Sequence, residues 1–255
     1  MSAYAPHDAI NLWGTVAILA ATLALGYAIT RAGSLRISRI AAWILFVLAV
    51  VGVERLNSRE PAGFRMLAII GALLYSMKAV VAVEARALGA KPLHVRNWFC
   101  FAALWPGMRP GPFTRPRAAP QPDAVPLLIR GLVRLVCGFI LVALARLTWD
   151  ETRSLFITTA LILPGVSFIL HFGIFNLVAG LWRLAGVDCQ PLFRDPLRST
   201  SLAEFWGRRW NLAFSEMLAL AVYQPLVRRA GRRPAVAVAF LGSGLLHELA
   251  ISLPV

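Results

Sequence analysis

The sequence of 255 residues has few charged side chains. Asp, Glu, Lys and Arg make up only 15% of it, whereas 58% of the residues are hydrophobic. The mean hydropathy of +0.68 is well above the range of soluble domains. This scarcity of charge excludes an ordinary water-soluble globular protein and predicts a membrane protein.

Acidic residues are the scarcest of the charged ones, with 12 against 26 basic residues and a net charge of +14. In a soluble protein such an excess would suggest a nucleic-acid partner. Here the arginines stand mostly between apolar runs instead of along one element, so the footprint of a phosphate-binding face is missing. We therefore expect no nucleic-acid partner.

Cysteine is also scarce, because the chain has only Cys100, Cys137 and Cys189. These three show no CxxC spacing, so neither a disulfide framework nor a thiolate metal site is predicted. The sequence also lacks HExxH, GxSxG, P-loop and GxGxxG motifs, which leaves zinc proteases, α/β-hydrolases, NTPases and dinucleotide enzymes without support. We expect no metal and no cofactor.

Long apolar runs dominate what is present, and about 20 such residues cross a bilayer. The clearest runs are 9–30, 40–53, 66–83 and 154–182, to which the charge-bearing runs 127–145 and 235–255 can be added. The aromatic segment 97–108 is too short to cross, so we expect it to be re-entrant or interfacial. The pattern predicts an all-α, polytopic helical membrane protein of about six to eight membrane-embedded helices, forming one integral membrane domain over residues 1–255.

The distribution of basic residues predicts the orientation of these spans. One side of the membrane receives the loops 31–39, 84–134, 183–209 and 228–233. These loops hold 20 basic residues, against five in the opposite loops 54–65 and 146–153. The positive-inside rule places the first set in the cytoplasm. It includes residues 109–126, a proline- and arginine-rich stretch that we expect to be an extended cytoplasmic loop, and the arginine-rich composition suggests a bacterial inner membrane.

Residues 202–211 read LAEFWGRRWN, an unusual density of aromatic and charged side chains. One interpretation is an interfacial belt, with tryptophan rings at headgroup level and arginines on phosphates. The other is a polar cluster at a cytosolic entrance. In that case an amphipathic helix through Leu212 would direct Trp210 and Asn211 inward, while Arg208 and Arg209 meet an anionic group such as a CoA phosphate.

The final apolar run contains Gly242, Gly244, His247 and Glu248. Ionisable residues inside a membrane segment are costly and therefore suggest a function. The alternative is a core histidine hydrogen-bonded to a neighbouring helix, with Glu248 as its partner or as an interfacial residue. The two glycines predict a close approach of another backbone.

His171 is a competing candidate, seven residues after Pro164 in the longest uncharged run. A single histidine near a helix kink is more often a packing residue than a catalytic one, and we interpret His171 in that way.

Three short strings of the sequence carry a family resemblance: WPGM at 105–108, SLAEFWGRRWN at 201–211 and SGLLHEL at 243–249. Together they resemble the membrane-bound O-acyltransferase superfamily, and within it the wax synthase-like branch. The middle string is the most specific. The strong resemblance covers roughly the last 60 residues and the short mid-chain motif.

The resemblance implies an enzyme that transfers an acyl group from acyl-CoA to a hydroxyl acceptor, in wax synthases a long-chain alcohol. The family's histidine falls on His247 and its polar partner on Asn211, so these are the expected catalytic residues. The expected substrate-binding residues are Trp206, Arg208, Arg209, Trp210 and Glu248. A histidine can take and return the proton of the alcohol, and an asparagine can donate a hydrogen bond to the thioester oxyanion. Acyl-CoA is then a co-substrate, the partners are a lipophilic alcohol and the bilayer, and a homo-oligomer is left open.

Other interpretations stay open from the sequence. The acceptor could be a sterol, a glycerolipid, a glycan or a secondary metabolite. A chain of another class would be a non-catalytic membrane protein or a small transporter that uses His247 and Glu248 as a relay. The catalytic interpretation predicts that His247 and Asn211 reach one substrate in an apolar cavity. Because the family continues through further helices after its histidine, we expect this chain to be either a truncated product or a short variant.

Overall fold

A computed structural model describes residues 3–115 and 119–254, so Arg117 of the predicted proline-rich loop lies outside the described residues. The described residues form helices and contain no β-strand. The α-helices are α1 (Ala9–Arg31), α2 (Leu35–Asn57), α3 (Ala62–Ala87), α4 (Val95–Leu104), α5 (Ala124–Thr152), α6 (Leu155–Ser167), α7 (Phe175–Leu184), α8 (Leu202–Glu204), α9 (Leu212–Leu218), α10 (Gln224–Ala230) and α11 (Arg232–Ile251). Three π-helical segments join some of them, at Phe168–Ile174, Phe205–Arg209 and Ala219–Tyr223.

Within residues 3–115 and 119–254, six helices are long and apolar enough to cross a membrane. They are α1, α2, α3, α5, the continuous α6–α7 helix Leu155–Leu184, and α11. This confirms the predicted all-α, polytopic architecture, and the chain is a multi-pass membrane protein. The helix α5 begins at Ala124, so the last residues of the predicted loop 109–126 are helical.

The chain divides into two compact units, Met1–Thr114 with Ala213–Val255, and Arg115–Leu212. The core of the first unit lies where α2 packs against α3, with buried residues such as Ala49, Val53 and Ile69. Leu246 and Leu249 of α11 pack against the same cluster. Because small residues let helices approach closely, van der Waals contacts hold this bundle together. The prediction of one domain over 1–255 stays a prediction.

At one end of the first unit, charged side chains join the helix termini. The Arg86 guanidinium donates to the carbonyls of Thr30 (2.6 Å) and Ala32 (3.0 Å). The Arg39 guanidinium binds Glu84 through two hydrogen bonds of 2.7 and 2.8 Å. The end of α1, the start of α2 and the end of α3 therefore meet at one level, which is the arrangement that the predicted cytoplasmic loops require.

At the opposite end, Arg65 forms an ion pair with Glu54 (2.5 Å) and donates to the carbonyls of Leu253 (3.1 Å) and Pro254 (2.9 Å). Both charges that limited the predicted run 40–53 are thus paired, Arg39 with Glu84 and Glu54 with Arg65. For this reason α2 continues beyond that run at both ends.

The aromatic segment 97–108 forms α4 and a buried loop. Ten residues are too few to cross a bilayer. The Trp98 ring is fully buried, and its indole nitrogen donates to the carbonyl of Leu23 (3.0 Å) on α1. The aromatic side chains Trp98 and Phe101 therefore pack inside the protein and do not lie at a lipid interface.

In the second unit α5 packs along the α6–α7 helix. A Cβ atom on Gly138 would lie 2.8 Å from both the carbonyl oxygen of Gly165 and the nitrogen of Ile169, so only glycine permits this approach. The predicted kink residue Pro164 lies inside α6, and the π-helical segment Phe168–Ile174 follows it. Proline removes a backbone donor from the helix, and π-helical turns accommodate such an interruption.

Candidate functional site

The string at 201–211 begins as a capped helical turn. The Ser201 hydroxyl accepts a hydrogen bond from the backbone N–H of Glu204 (3.1 Å), while the Glu204 carboxylate accepts from the backbone N–H and the hydroxyl of Thr200 (2.8 and 2.7 Å). This reciprocal arrangement resembles a capping box. It holds the start of the string in place before the π-helical turn Phe205–Arg209.

The predicted amphipathic helix through Leu212 is wrong, because the helix ends at Arg209 and Trp210 is extended. The backbone pairs with residues 192–194 instead. The Arg194 N–H donates to the carbonyl of Arg209 (2.8 Å), and the Leu212 N–H donates to the carbonyl of Leu192 (2.9 Å). The two hydrogen bonds flank Trp210 and Asn211 and fix their position.

Asn211 lies in the left-handed region, with φ of +44°. Asparagine tolerates this conformation better than most residues other than glycine. Its side chain is half-buried and forms no hydrogen bond within the described ranges 3–115 and 119–254. The positive φ therefore favours asparagine at position 211, and the side-chain amide is free to bind a ligand.

Trp210 lies in a cluster of aromatic rings in the second unit. Its ring centroid is 5.0 Å from Phe193, 5.5 Å from Phe205 and 5.3 Å from His171. The His171 ring also packs on Phe193 at 4.5 Å, and its buried Nδ1 has no hydrogen-bond partner in the part of the chain that is described. The proximity of His171 to the string at 201–211 was not predicted, because the two segments share no spacing pattern and have only their aromatic character in common.

The two arginines of the string differ in their partners. The Arg209 guanidinium pairs with Glu204 at 2.7 Å. Hydrogen bonds from Thr200, followed by this arginine, lower the pKa of Glu204 to about 2. Arg208 is exposed and has no ion pair within the described residues. Of the two, Arg208 is therefore the cation that is open to an anionic ligand.

Trp206 is half-exposed and packs edge-on against Phe205, with centroids 4.9 Å apart. All the expected site residues between 206 and 211 lie in the second unit, whereas His247 and Glu248 lie in the first. That Asn211 and His247 reach one substrate stays a prediction.

His247 lies near the end of α11 and is half-buried. Its Nδ1 is 2.8 Å from the carbonyl oxygen of Ser243, one turn earlier, and its ring packs against Phe214 with centroids 4.3 Å apart. Because a carbonyl oxygen can only accept, this contact requires a proton on Nδ1. The lone pair of a neutral His247 is then on Nε2.

Glu248 does not pair with His247. Its carboxylate accepts a hydrogen bond from the Ser252 hydroxyl (2.5 Å), and its side chain is exposed. The close backbone approach expected at Gly242 and Gly244 is also wrong for the described residues. A Cβ on Gly242 would only touch the Leu218 side chain at 3.6 Å, and one on Gly244 would meet nothing within 4 Å.

The mid-chain motif 105–108 is buried and anchored by Lys78. The Lys78 ammonium donates to the carbonyls of Trp105 (2.6 Å), Gly107 (2.5 Å) and Phe101 (3.0 Å). On the other side, the backbone N–H of Met108 donates to the Glu216 carboxylate (3.4 Å). The motif is thereby fixed to α3 and to α9.

Among residues 3–115 and 119–254, no three His, Cys, Asp or Glu side chains are arranged to hold a metal ion. The candidate residues themselves supply a histidine, an amide, a guanidinium and the aromatic rings described above.

The described residues thus form a polytopic helical membrane protein that carries a histidine on the span α11 and a free amide at Asn211. Residues 189–253, which include Asn211 and His247, match the sequence model of the membrane bound O-acyl transferase family. Over this region the chain is similar to that family, which confirms the resemblance predicted from the sequence.

Three relatives illustrate the match. The long-chain-alcohol O-fatty-acyltransferase of Simmondsia chinensis is 46% identical over 72 residues, which are 25% of this chain and 20% of the relative. The probable long-chain-alcohol O-fatty-acyltransferase 9 of Arabidopsis thaliana is 47% identical over 73 residues, covering 25% of this chain and 21% of the relative. The probable long-chain-alcohol O-fatty-acyltransferase 2 of the same plant is 31% identical over 177 residues, covering 66% and 50%. The chain thus spans at most half the length of these relatives.

Proposed function

We propose that this protein transfers a fatty acyl group from acyl-CoA to a long-chain alcohol. The observation that carries the proposal is the family match over residues 189–253, which contains both Asn211 and His247, together with relatives named long-chain-alcohol O-fatty-acyltransferase. The proposal includes the identity of the acceptor, the identity of the acyl donor and the role of each residue.

His247 is the proposed general base. The contact between its Nδ1 and the carbonyl of Ser243 directs the lone pair to Nε2, where no described residue accepts or donates a hydrogen bond. As the alcohol oxygen attacks the thioester carbonyl, Nε2 takes the hydroxyl proton. A C–O bond forms, the C–S bond breaks, and the proton passes to the CoA thiolate.

Asn211 is the proposed hydrogen-bond donor to the oxyanion of the tetrahedral intermediate. Its side-chain amide is free of protein partners within the described residues, and the backbone hydrogen bonds on either side fix its position. A donor that is oriented in advance stabilises developing charge without reorganisation. Arg208 is the proposed contact for a CoA phosphate, because Arg209 is already paired with Glu204. Trp206, Trp210 and Glu248 keep the substrate-binding roles that the resemblance implies.

The relay expected of a transporter receives no support from the contacts, since the Glu248 carboxylate hydrogen-bonds to Ser252. We place the protein in a bacterial inner membrane on composition alone. All but two of its 26 basic residues are arginine, which suggests a GC-rich genome, although the three relatives described above are plant proteins.

The proposal is tested with membranes from cells that produce the full chain, incubated with labelled acyl-CoA and each of several acceptors. These are long-chain alcohols, a sterol and a diacylglycerol, with membranes of cells lacking the chain as the control. We expect chain-dependent ester from the long-chain alcohols. Ester from the sterol or diacylglycerol alone would replace the proposed acceptor, and no chain-dependent ester from any acceptor would refute the transferase.

A further inference from the structure

A groove of about 780 Å³ lies in the first unit. Its volume lies within the range of about 300–1,000 Å³ that small-molecule sites have. One wall is a stripe of α2 at helical spacing, made of Ile40, Trp43, Ile44, Val47 and Leu48. The opposite wall comes from the segment around Leu220 and from α10. The groove is therefore long and apolar enough for an aliphatic chain.

Positive charge gathers at one end of this groove. Arg39, Arg228 and Arg229 line that end together with Glu84. Glu84 neutralises Arg39 through two hydrogen bonds. Arg228 and Arg229 are exposed and have no ion pair within the described residues. Two uncompensated cations thus remain at the end of the apolar groove.

Polar side chains lie between the apolar wall of the groove and its charged end. Gln224 lies one helical turn before Arg228 on α10 and also lines the groove. Trp43 lies one turn after Arg39 on α2. Tryptophan within one turn of arginine is typical of the region where headgroups meet hydrocarbon. The groove therefore runs from headgroup level into the depth of the bilayer.

The apolar wall is open along its side. Ile44 is 53% and Leu48 is 64% exposed, so an occupant would touch the bilayer as well as the protein. This favours a molecule that already lies in the membrane leaflet over one that enters from water. The charged end of the groove belongs to the loops that we predict in the cytoplasm, where the leaflet carries anionic lipids.

We propose that this groove binds an anionic phospholipid. The headgroup phosphate lies between Arg228 and Arg229, the glycerol and ester region lies near Gln224, and an acyl chain follows the stripe from Ile40 to Leu48. The site does not depend on the proposed acyl transfer, and binding is measured without turnover.

The test is native mass spectrometry of the purified full chain with phosphatidylglycerol and with phosphatidylcholine of identical acyl chains. We expect phosphatidylglycerol to bind at least about tenfold more tightly, because each arginine near an anionic headgroup strengthens binding several-fold. The double variant Arg228→Gln/Arg229→Gln should lose this preference. The matched control Arg232→Gln/Arg233→Gln removes the same charge from exposed residues that do not line the groove, and it should keep the preference.

Three results would overturn the proposal. One is equal binding of the two lipids by the unaltered chain, a comparison that needs no variant to fold. The second is an equal loss in both double variants, which would indicate only bulk charge. The third comes from a competition experiment with bound phosphatidylglycerol. If equimolar acyl-CoA displaces it, whereas phosphatidylglycerol of another chain length does not, the groove belongs to the co-substrate.

Discussion

The ammonium nitrogen of Lys78 lies 2.6 Å from the carbonyl oxygen of Trp105. Lys78 is fully buried in α3, and it also binds the carbonyls of Phe101 and Gly107. Its Nζ lies 4.1 Å from the centroid of the Phe101 ring. A charge inside a membrane helix is costly unless several hydrogen bonds compensate it. Lys78 therefore organises the loop that carries the mid-chain motif.

Replacing Lys78 with methionine should destabilise the protein by about 2–4 kcal/mol, because buried carbonyls of the motif lose their donor. The measurement is thermal unfolding in detergent. Lys91, the other lysine, is exposed, and Lys91→Met should change stability by no more than about 0.5 kcal/mol. Equal unfolding temperatures for the two variants would contradict the anchoring role.

Asn211 offers a way to separate backbone conformation from side-chain chemistry. Asn211→Gly suits the positive φ, so it should fold normally yet lose acyl transfer by about 100-fold or more, because the amide is gone. Asn211→Ala should lose the same activity and also about 1 kcal/mol of stability. Both are measured by ester formation and thermal unfolding. An active Asn211→Gly variant would show that asparagine is present for its conformation alone.

Glu204 should make the string at 201–211 sensitive to acid. Its pKa is lowered to about 2 in the folded protein from an ordinary value of 4.5. A lowered pKa contributes stability that is fully present above pH 4.5 and is lost as the pH falls toward 2. Glu204→Gln should therefore show a weaker decrease of the unfolding temperature between pH 6 and pH 3 than the unaltered protein. The control is Glu151→Gln, at an exposed carboxylate. If Glu204→Gln and the unaltered protein follow the same pH curve, this pairing is unimportant for stability.

His171 is a packing residue in this account. His171→Phe keeps a ring among Phe193, Phe175 and Trp210 and removes a buried nitrogen without a partner, so stability should stay equal or rise. His171→Ala should cost about 3 kcal/mol through the cavity it leaves. Unfolding temperature and ester formation are measured for both. A folded but inactive His171→Phe variant would instead give His171 a functional role.

Much of the helical plan could be predicted from the sequence, because apolar length is a local property. The six spans match the predicted runs, and α4 is as short as its sequence suggests. The limits of α2 could not be predicted, since Arg39 and Glu54 are neutralised by Glu84 and Arg65 on another helix. A charged residue therefore marks the end of a span only where no partner on another helix neutralises it.

The geometry of the candidate site could be predicted less well. The string at 201–211 contains helix-forming residues at helical spacing, yet pairing with Leu192 and Arg194 ends the helix at Arg209. Likewise, the partners of Lys78 are carbonyl groups 23 to 29 residues away, which carry no sequence signature. Residue identity pointed to Asn211 and His247, whereas their hydrogen-bonding state required the folded chain.

The most direct test of the central claim is acyl transfer by His247→Ala. Membranes with equal amounts of the unaltered chain, His247→Ala and the control His94→Ala are given labelled acyl-CoA and a long-chain alcohol. His94 is exposed at the start of α4, so its replacement should leave ester formation unchanged. We predict that His247→Ala loses at least about 100-fold in rate, the contribution expected of a general base. Full ester formation by His247→Ala would contradict the account.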